Sequence, residues 1–160
     1  MSAIVLPALP LWQPWADLVV RGVKRIETRS WEAPPELIGR AIAIYATKGG
    51  PTKRQLAKLL ERPEFGYVLG RDELPRGVVV GLVRVTRCER MTLDSIADVD
   101  ETEYAYGHYE VGRYAWHLTS AHRYLVPQPA TWPAGSRARW FDWSAPRLED
   151  GGLAFGGDER

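Results

Sequence analysis

The chain has 160 residues, of which 26% are charged, and its formal net charge is +1 at pH 7. This length suits one domain with a sizeable core. The near-neutral net charge excludes an overall positive field that would bind long nucleic-acid duplexes. Any contact with nucleic acid must therefore come from a local patch.

The first segment, Met1–Leu11, is apolar but lacks the features of a membrane anchor. It has no basic residue, contains Pro7 and Pro10, and is too short to cross a bilayer. The single cysteine, Cys88, cannot form an internal disulfide, which fits a reducing compartment. We therefore predict a lead-in strand, no membrane partner, a cytoplasmic location and a monomer.

A short helix is predicted next, from Pro14 to Arg21. Proline suits the first helical turn because it has no amide proton to lose there. Gly22 suits the left-handed residue that follows the last turn. After this glycine the polar and apolar residues alternate with a period of two, which predicts a strand.

One face of that strand carries three unlike functional groups. Glu27, Arg29 and Trp31 should project together, with Lys24 at the mouth of the preceding turn. A carboxylate, a guanidinium and an indole can pair charges and offer a stacking surface. An exposed strand with a surface ion pair, stabilising by about 0–1 kcal/mol, would carry the same residues. The residues alone leave a ligand site and a plain surface both open.

The middle of the chain alternates strands with one helix. Arg40–Thr47 is apolar on both faces, which predicts a central strand. Thr52 and Gln55 form a capping-box pattern at the start of a helix. Gly77–Arg87 is the clearest long strand, and Gly81 within it would permit a bulge or sharp bend.

The later segments are acidic, then aromatic. The carboxylates in residues 98–103 lack calcium-loop spacing, so we predict a solvated face. Arg113–Thr119 alternates as a strand, and we expect Tyr114 to point into a pocket. Arg137–Trp143 is predicted to pack against the first helix.

The chain is predicted to form one domain over residues 1–143. Within it, Glu64–Arg76 is expected to be a loop-like insertion. Residues 144–160 have few apolar anchors, so we expect them to form a mobile tail.

Four blocks in order resemble the ASCH family. They are LWQPW at 11–15, the G-x-K-x-x-E-x-R signature at Gly22, Lys24, Glu27 and Arg29, the strand that ends in Ala46-Thr47-Lys48-Gly49, and GRYAW at 112–116 with a Trp-rich segment at 135–143. The resemblance covers most of the chain. It implies an α+β fold, a PUA-like mixed β-barrel with short flanking helices, and membership among proteins that look RNA-binding or nucleoside-processing.

The resemblance also implies a polar, nucleotide-sized pocket at the signature. The candidate catalytic residues are Lys24, Glu27 and Tyr114. The candidate ligand-binding residues are Trp12, Gln13, Pro14, Trp15, Thr28, Arg29, Trp31, Lys48 and Gly49. We predict neither a metal nor a cofactor, because the histidines are not at zinc spacing and share no cysteine pair.

The principal hypothesis for function is binding of RNA or of a modified nucleoside or nucleotide. In this hypothesis Arg29 and Lys24 hold a phosphate or a base edge while a tryptophan stacks on the base. A non-catalytic structural pocket, in which Glu27 and Arg29 only pair with each other, is a further alternative.

Two hydrolytic alternatives come from the family. Some ASCH members resemble amidohydrolases on N4-acetylcytidine that use a lysine, a threonine and a glutamate. Here Glu27 occupies the position of that threonine, and Thr28, one residue later, should face the other way. Other members resemble ribonucleases on single-stranded RNA. In that case Lys24 or Lys48 would stabilise phosphorane charge, and Glu27 or Tyr114 would move protons.

Overall fold

In the computed structural model, residues 3–66 and 74–146 are described. The six strands are β1 (Ile4–Leu11), β2 (Ile26–Arg29), β3 (Ala41–Ala46), β4 (Val78–Arg90), β5 (Tyr114–Pro129) and β6 (Phe141–Ala145). The helices are α1 (Trp15–Val20), α2 (Lys53–Leu60), α3 (Leu93–Ala97) and α4 (Glu101–Tyr106), with 3-10 turns at Pro35–Leu37 and Pro63–Phe65. Short helices around a sheet confirm the predicted α+β class.

All six strands belong to one mixed sheet in the order β2-β5-β4-β3-β1-β6. β1 and β3 run parallel, and the other neighbouring strands run antiparallel. In residues 3–66 and 74–146 no backbone ladder joins β2 to β6, so the sheet is not closed into the predicted barrel. β2 has only four residues, which leaves little backbone for a second ladder.

Side chains bridge the two edges where the backbone does not. The Trp31 ring, just after β2, stacks on Trp140, just before β6, with centroids 5.7 Å apart and planes at 23°. Arg29 Nη2 also donates a hydrogen bond of 2.9 Å to the Pro10 carbonyl of β1. The sheet is therefore curled enough for its edges to meet through these side chains.

The predicted bulge at Gly81 is confirmed. The β4–β5 register shifts between Val79 and Gly81. A Cβ on Gly81 would lie 2.2 Å from the His122 carbonyl and 2.9 Å from the Val20 side chain of α1. Glycine here lets β5 and α1 approach β4 closely, which seats the helix against the sheet.

The predicted first helix and capping box are also confirmed. α1 spans Trp15–Val20, within the predicted Pro14–Arg21, and Gly22 follows with φ +73°. Thr52 and Gln55 make both hydrogen bonds of a capping box at the start of α2.

The prediction that the segment Arg137–Trp143 packs against the first helix was wrong. Residues 141–145 pair with β1 as β6 instead of packing against α1, because their alternating buried positions fit a sheet edge. β6 also includes Ser144 and Ala145, the first two residues of the predicted tail. Residues 147–160, and residues 67–73 of the expected insertion, lie outside the described residues.

No helix within the described ranges is long and apolar enough to cross a membrane. The cytoplasmic location and the monomeric state stay predictions.

Candidate functional site

The signature residues form a chain of charges on one face of β2. The Lys24 side chain is 2% exposed, donates a hydrogen bond to the Ile26 carbonyl, and places its ammonium 3.6 Å from Glu27 Oε2. Arg29 Nε lies 3.0 Å from Glu27 Oε1 on the other side. Glu27 and Arg29 thus share a face, as predicted, and are paired. Both carboxylate oxygens are engaged by cations, so Glu27 holds Lys24 and Arg29 in place.

Arg29 is also held from the opposite side. Its Nη2 donates to the Pro10 carbonyl at 2.9 Å, and its guanidinium carbon lies 6.0 Å from the Trp31 ring centroid. The contact of its Nε with Glu27 is an ion pair without the angle of a hydrogen bond. These contacts fix the guanidinium between β2 and β1.

α4 and the loop after it also hold β2. The Glu103 carboxylate, on a residue only 5% exposed, accepts hydrogen bonds from the amides of Arg25 at 3.0 Å and Ile26 at 2.9 Å. Thr28 Oγ1 accepts the amide of His108 at 3.0 Å. The predicted solvated acidic face is therefore wrong for Glu103. Its role depends on contacts across most of the domain, which sequence spacing does not reveal.

A cavity of about 580 Å³ opens over the signature. This volume lies within the range of roughly 300–1,000 Å³ that is typical of small-molecule sites. Glu27 is the single carboxylate among the described residues that line it. The lining includes the cations Lys24, Arg29, Arg62 and Arg113, the aromatic residues Trp12, Trp15 and Trp31, and Thr28 and His108. The cavity is therefore electropositive and suits an anionic ligand with a flat ring.

The three tryptophans differ in how much surface they offer. Trp12 is 57% exposed, and its Cγ would lie 3.2 Å from a Cβ on Gly50, so the side chain rests against glycine backbone. Trp15 packs edge-on against Phe65 with centroids 6.3 Å apart. Trp31 packs against the buried core. Trp12 is the indole best placed to stack on a ligand.

Three predicted site residues have other positions. Gln13 is fully buried: its Oε1 accepts the Asp17 amide at 3.0 Å, and its Nε2 donates to the Pro75 carbonyl at 2.9 Å. Pro14 directly precedes α1 and does not line the cavity. Tyr114 packs against the core and does not line the cavity either. Their side chains are occupied in building the fold, so the prediction that they meet the ligand lacks support.

Lys48 lies in a second cavity of about 560 Å³ rather than beside Lys24. The two cavities share a wall made of Pro10, Trp12, Arg29 and Trp31. Gly49 lines neither of them, and its carbonyl accepts from Thr47 Oγ1 at 3.0 Å. The second cavity also contains Tyr45, Trp132 and Arg139.

Sequence reasoning missed several of these lining residues. Arg62, His108 and Arg113 approach the first cavity from loops, and Trp132 and Arg139 approach the second. The sequence signal that could have found Trp132 and Arg139 is the mixture of tryptophan and arginine in residues 131–143, of which residues 137–143 are predicted only to pack against the first helix.

Metal and thiol chemistry have little support in the part of the chain that the structure describes. No group of three or more His, Cys, Asp or Glu side chains there is placed to hold a metal ion. Burial raises the pKa of the Cys88 thiol, and this favours the protonated, unreactive form.

Among curated proteins, the chain is similar to activating signal cointegrator 1 from Homo sapiens and from Mus musculus. Each is 35% identical over 85 residues, which cover 50% of this chain and 14% of the relative. The chain thus spans a small part of the relatives that it matches, and their names alone assign no chemistry to it.

Among solved structures, the chain is similar to the ASCH protein from Zymomonas mobilis. The TM-score is 0.48 at 18% identity, over 77% of this chain and 72% of that chain. A mutant form of the same protein gives a TM-score of 0.46 at 18% identity, over 77% and 74% of the two chains. A likeness at this level carries no argument about this chain.

The family comparison is decisive, because it covers most of the chain and all of the signature. The family model described as the ASCH domain matches residues 9–128, and the chain therefore belongs to the ASCH domain family.

Proposed function

We propose that this ASCH domain binds single-stranded RNA, or a nucleotide derived from it, with one nucleotide in the cavity over the signature. The observation that carries the proposal is the exposed indole of Trp12 at an electropositive cavity of about 580 Å³. Indole faces stack on any base, contributing about 1–3 kcal/mol per base, and guanidinium groups bind phosphate.

The lining suggests a division of roles. Arg62 is about half exposed and lies over the Phe65 ring at 5.4 Å, so we assign it to phosphate at the rim. Thr28 Oγ1 accepts the His108 amide, and we assign its hydroxyl proton to a base edge of the ligand. Glu27 is committed to two cations, and this arrangement supports binding more strongly than proton transfer.

The test is the affinity of wild type and Trp12→Ala for a fluorescently labelled single-stranded RNA. We expect the substitution to weaken binding about fivefold to 150-fold, as the loss of one stacked base predicts. Leu125→Ala is the control, because Leu125 is 96% exposed and lines neither cavity. Equal affinity of wild type and Trp12→Ala would overturn the proposed site.

Hydrolysis at the same site is the alternative proposal, favoured by the buried Lys24 ammonium beside Glu27. On N4-acetylcytidine, water would add to the acyl carbon and the C–N bond would break, releasing acetate and cytidine. On single-stranded RNA, the ribose 2′-hydroxyl would attack the phosphate and expel the 5′ oxygen.

Turnover separates this alternative from binding. Hydrolysis predicts product formation that is lost in Lys24→Ala, with circular dichroism as the check that the variant folds. Binding predicts affinity without turnover at high enzyme concentration. If neither RNA nor nucleosides bind or react, the pocket has a structural role.

A further inference from the structure

We propose that the second cavity is a subsite for the neighbouring nucleotide, so that the ligand is a single-stranded oligonucleotide rather than a free nucleoside. This inference rests on the proposed function of the first cavity. The two cavities share the wall that includes Trp12 and Arg29, and the second has a volume of about 560 Å³. A ligand that enters both must cross this wall.

The second cavity contains a fixed aromatic platform. The Trp132 ring stacks on Tyr45 with centroids 6.2 Å apart and planes at 29°, and meets the edge of Phe141 at 5.2 Å. Its Nε1 donates to the Ser136 carbonyl at 3.4 Å. Trp132 is nevertheless only partly buried. A partly exposed indole held by its neighbours can stack on a base without first losing conformational freedom.

The same cavity offers cations without a carboxylate. Lys48 and Arg139 are exposed and line it together with Arg29, and its described lining contains no Asp or Glu. Arg139 lies over the Trp31 ring at 4.7 Å. The Lys48 stem lies along Gly77, where a Cβ would come within 3.0 Å of it. The second cavity thus has cations without the carboxylate that lines the first, which suits an inter-nucleotide phosphate.

The order of these features fits an extended single strand. One base would stack on Trp12, a phosphate would lie near Arg29 and Lys48, and a second base would stack on Trp132. This order of base, phosphate and base is the order found along an oligonucleotide. A duplex would keep its bases stacked on each other and unavailable to the two indoles. Trp132 and Arg139 lie beyond residues 9–128, so this subsite uses a segment outside the family match.

The experiment compares mononucleotides, the matching dinucleotides and a labelled decanucleotide by equilibrium titration against the full chain. In wild type we expect each dinucleotide that binds to do so at least about fivefold more tightly than its mononucleotide, because a second base stacks. Lys48→Ala/Arg139→Ala should abolish most of this gain and leave unchanged the affinity for a 5′-mononucleotide, which has no inter-nucleotide phosphate. For the decanucleotide, the slope of log affinity against log salt should become shallower by about 0.7 per lost phosphate contact.

Two further variants keep the test decisive. Lys53→Ala/Arg54→Ala removes two exposed cations from α2 and should leave the gain intact. Trp132→Ala should also remove the gain. Because the Trp132 ring packs against the core, Lys48→Ala/Arg139→Ala is the deciding variant if Trp132→Ala does not fold.

The outcomes separate this inference from the proposed function. Mononucleotide binding with no gain for dinucleotides, or a gain that survives Lys48→Ala/Arg139→Ala, overturns the second subsite and leaves the first. Absence of binding by any nucleotide or oligonucleotide overturns both. If Trp12→Ala leaves the affinity for the oligonucleotide unchanged, the proposed site is overturned and the two-subsite arrangement with it.

Discussion

The Lys24–Glu27 contact makes Glu27→Gln an informative single substitution. The amide has the shape of the carboxylate but leaves the Lys24 ammonium, 3.6 Å away and 2% exposed, without its opposite charge. At an effective dielectric constant of about 20, a pair at this distance interacts by roughly 5 kcal/mol. Desolvation offsets part of that energy, and removing one partner of a buried pair costs about 3–5 kcal/mol.

We expect the lower end of this range, about 3 kcal/mol of unfolding free energy. Lys24 keeps its hydrogen bond to the Ile26 carbonyl, and the Glu27 side chain is 11% exposed, so some solvent can reach the contact. The assay is urea unfolding at pH 7, followed by tryptophan fluorescence.

Two companion variants sharpen this measurement. Lys24→Met/Glu27→Gln should be more stable than Glu27→Gln alone, because no unpaired ammonium then remains buried. Glu110→Gln is the control: its ion pair with His108 is 67% exposed on the glutamate side, so stability should hardly change. A Glu27→Gln midpoint equal to that of wild type, or losses that simply add in the double variant, would refute the reasoning.

Three other substitutions test the scaffold around the site. Glu103→Ala should lower the free energy of unfolding in urea by about 2 kcal/mol, because the amides of Arg25 and Ile26 lose their acceptor. Amide hydrogen exchange at the start of β2 should become faster for the same reason. The His117 hydrogen bond lowers the pKa of Glu89, so the ionised carboxylate stabilises the fold above the ordinary value of 4.5, and this contribution is lost as pH falls through the lowered value. Glu89→Gln should therefore destabilise by about 0.5 kcal/mol at pH 6, a difference that shrinks in acid; a constant difference would contradict this assignment. Gly81→Ala should lower thermal stability by about 3 kcal/mol, because its Cβ would lie 2.2 Å from the His122 carbonyl, and an unchanged melting temperature would contradict that contact.

The parts of the fold that depend on local rules could be predicted from the sequence. The helix before Gly22 follows from the missing amide proton of proline and the left-handed freedom of glycine. The common face of Glu27 and Arg29 follows from the period of a strand. The bulge at Gly81 follows from the absence of a side chain.

The parts of the fold that depend on contacts between distant residues could not be predicted from the sequence. Glu103 meets the amide of Arg25 across 78 positions of sequence, and neither residue signals the other. Gln13 has the polar character of a ligand-binding residue, but its two hydrogen bonds are made within the fold. Tyr114 starts β5, which pairs with β2 on one side and β4 on the other, and its ring joins the core. Local patterns specify which faces are polar, but not which polar groups the fold uses itself.

The open junction between β2 and β6 has a mechanical consequence. Strands in the middle of the sheet can separate only by breaking backbone hydrogen bonds, whereas the two edges meet through the Trp31–Trp140 stack and the hydrogen bond from Arg29 to the Pro10 carbonyl. A ring pair contributes about 0.5–1.5 kcal/mol beyond its buried area and a single hydrogen bond about 0.5–1.5 kcal/mol, whereas a ladder contributes several hydrogen bonds at once. We therefore expect the sheet to open first at this junction when the domain is destabilised, before a ladder between neighbouring strands is broken.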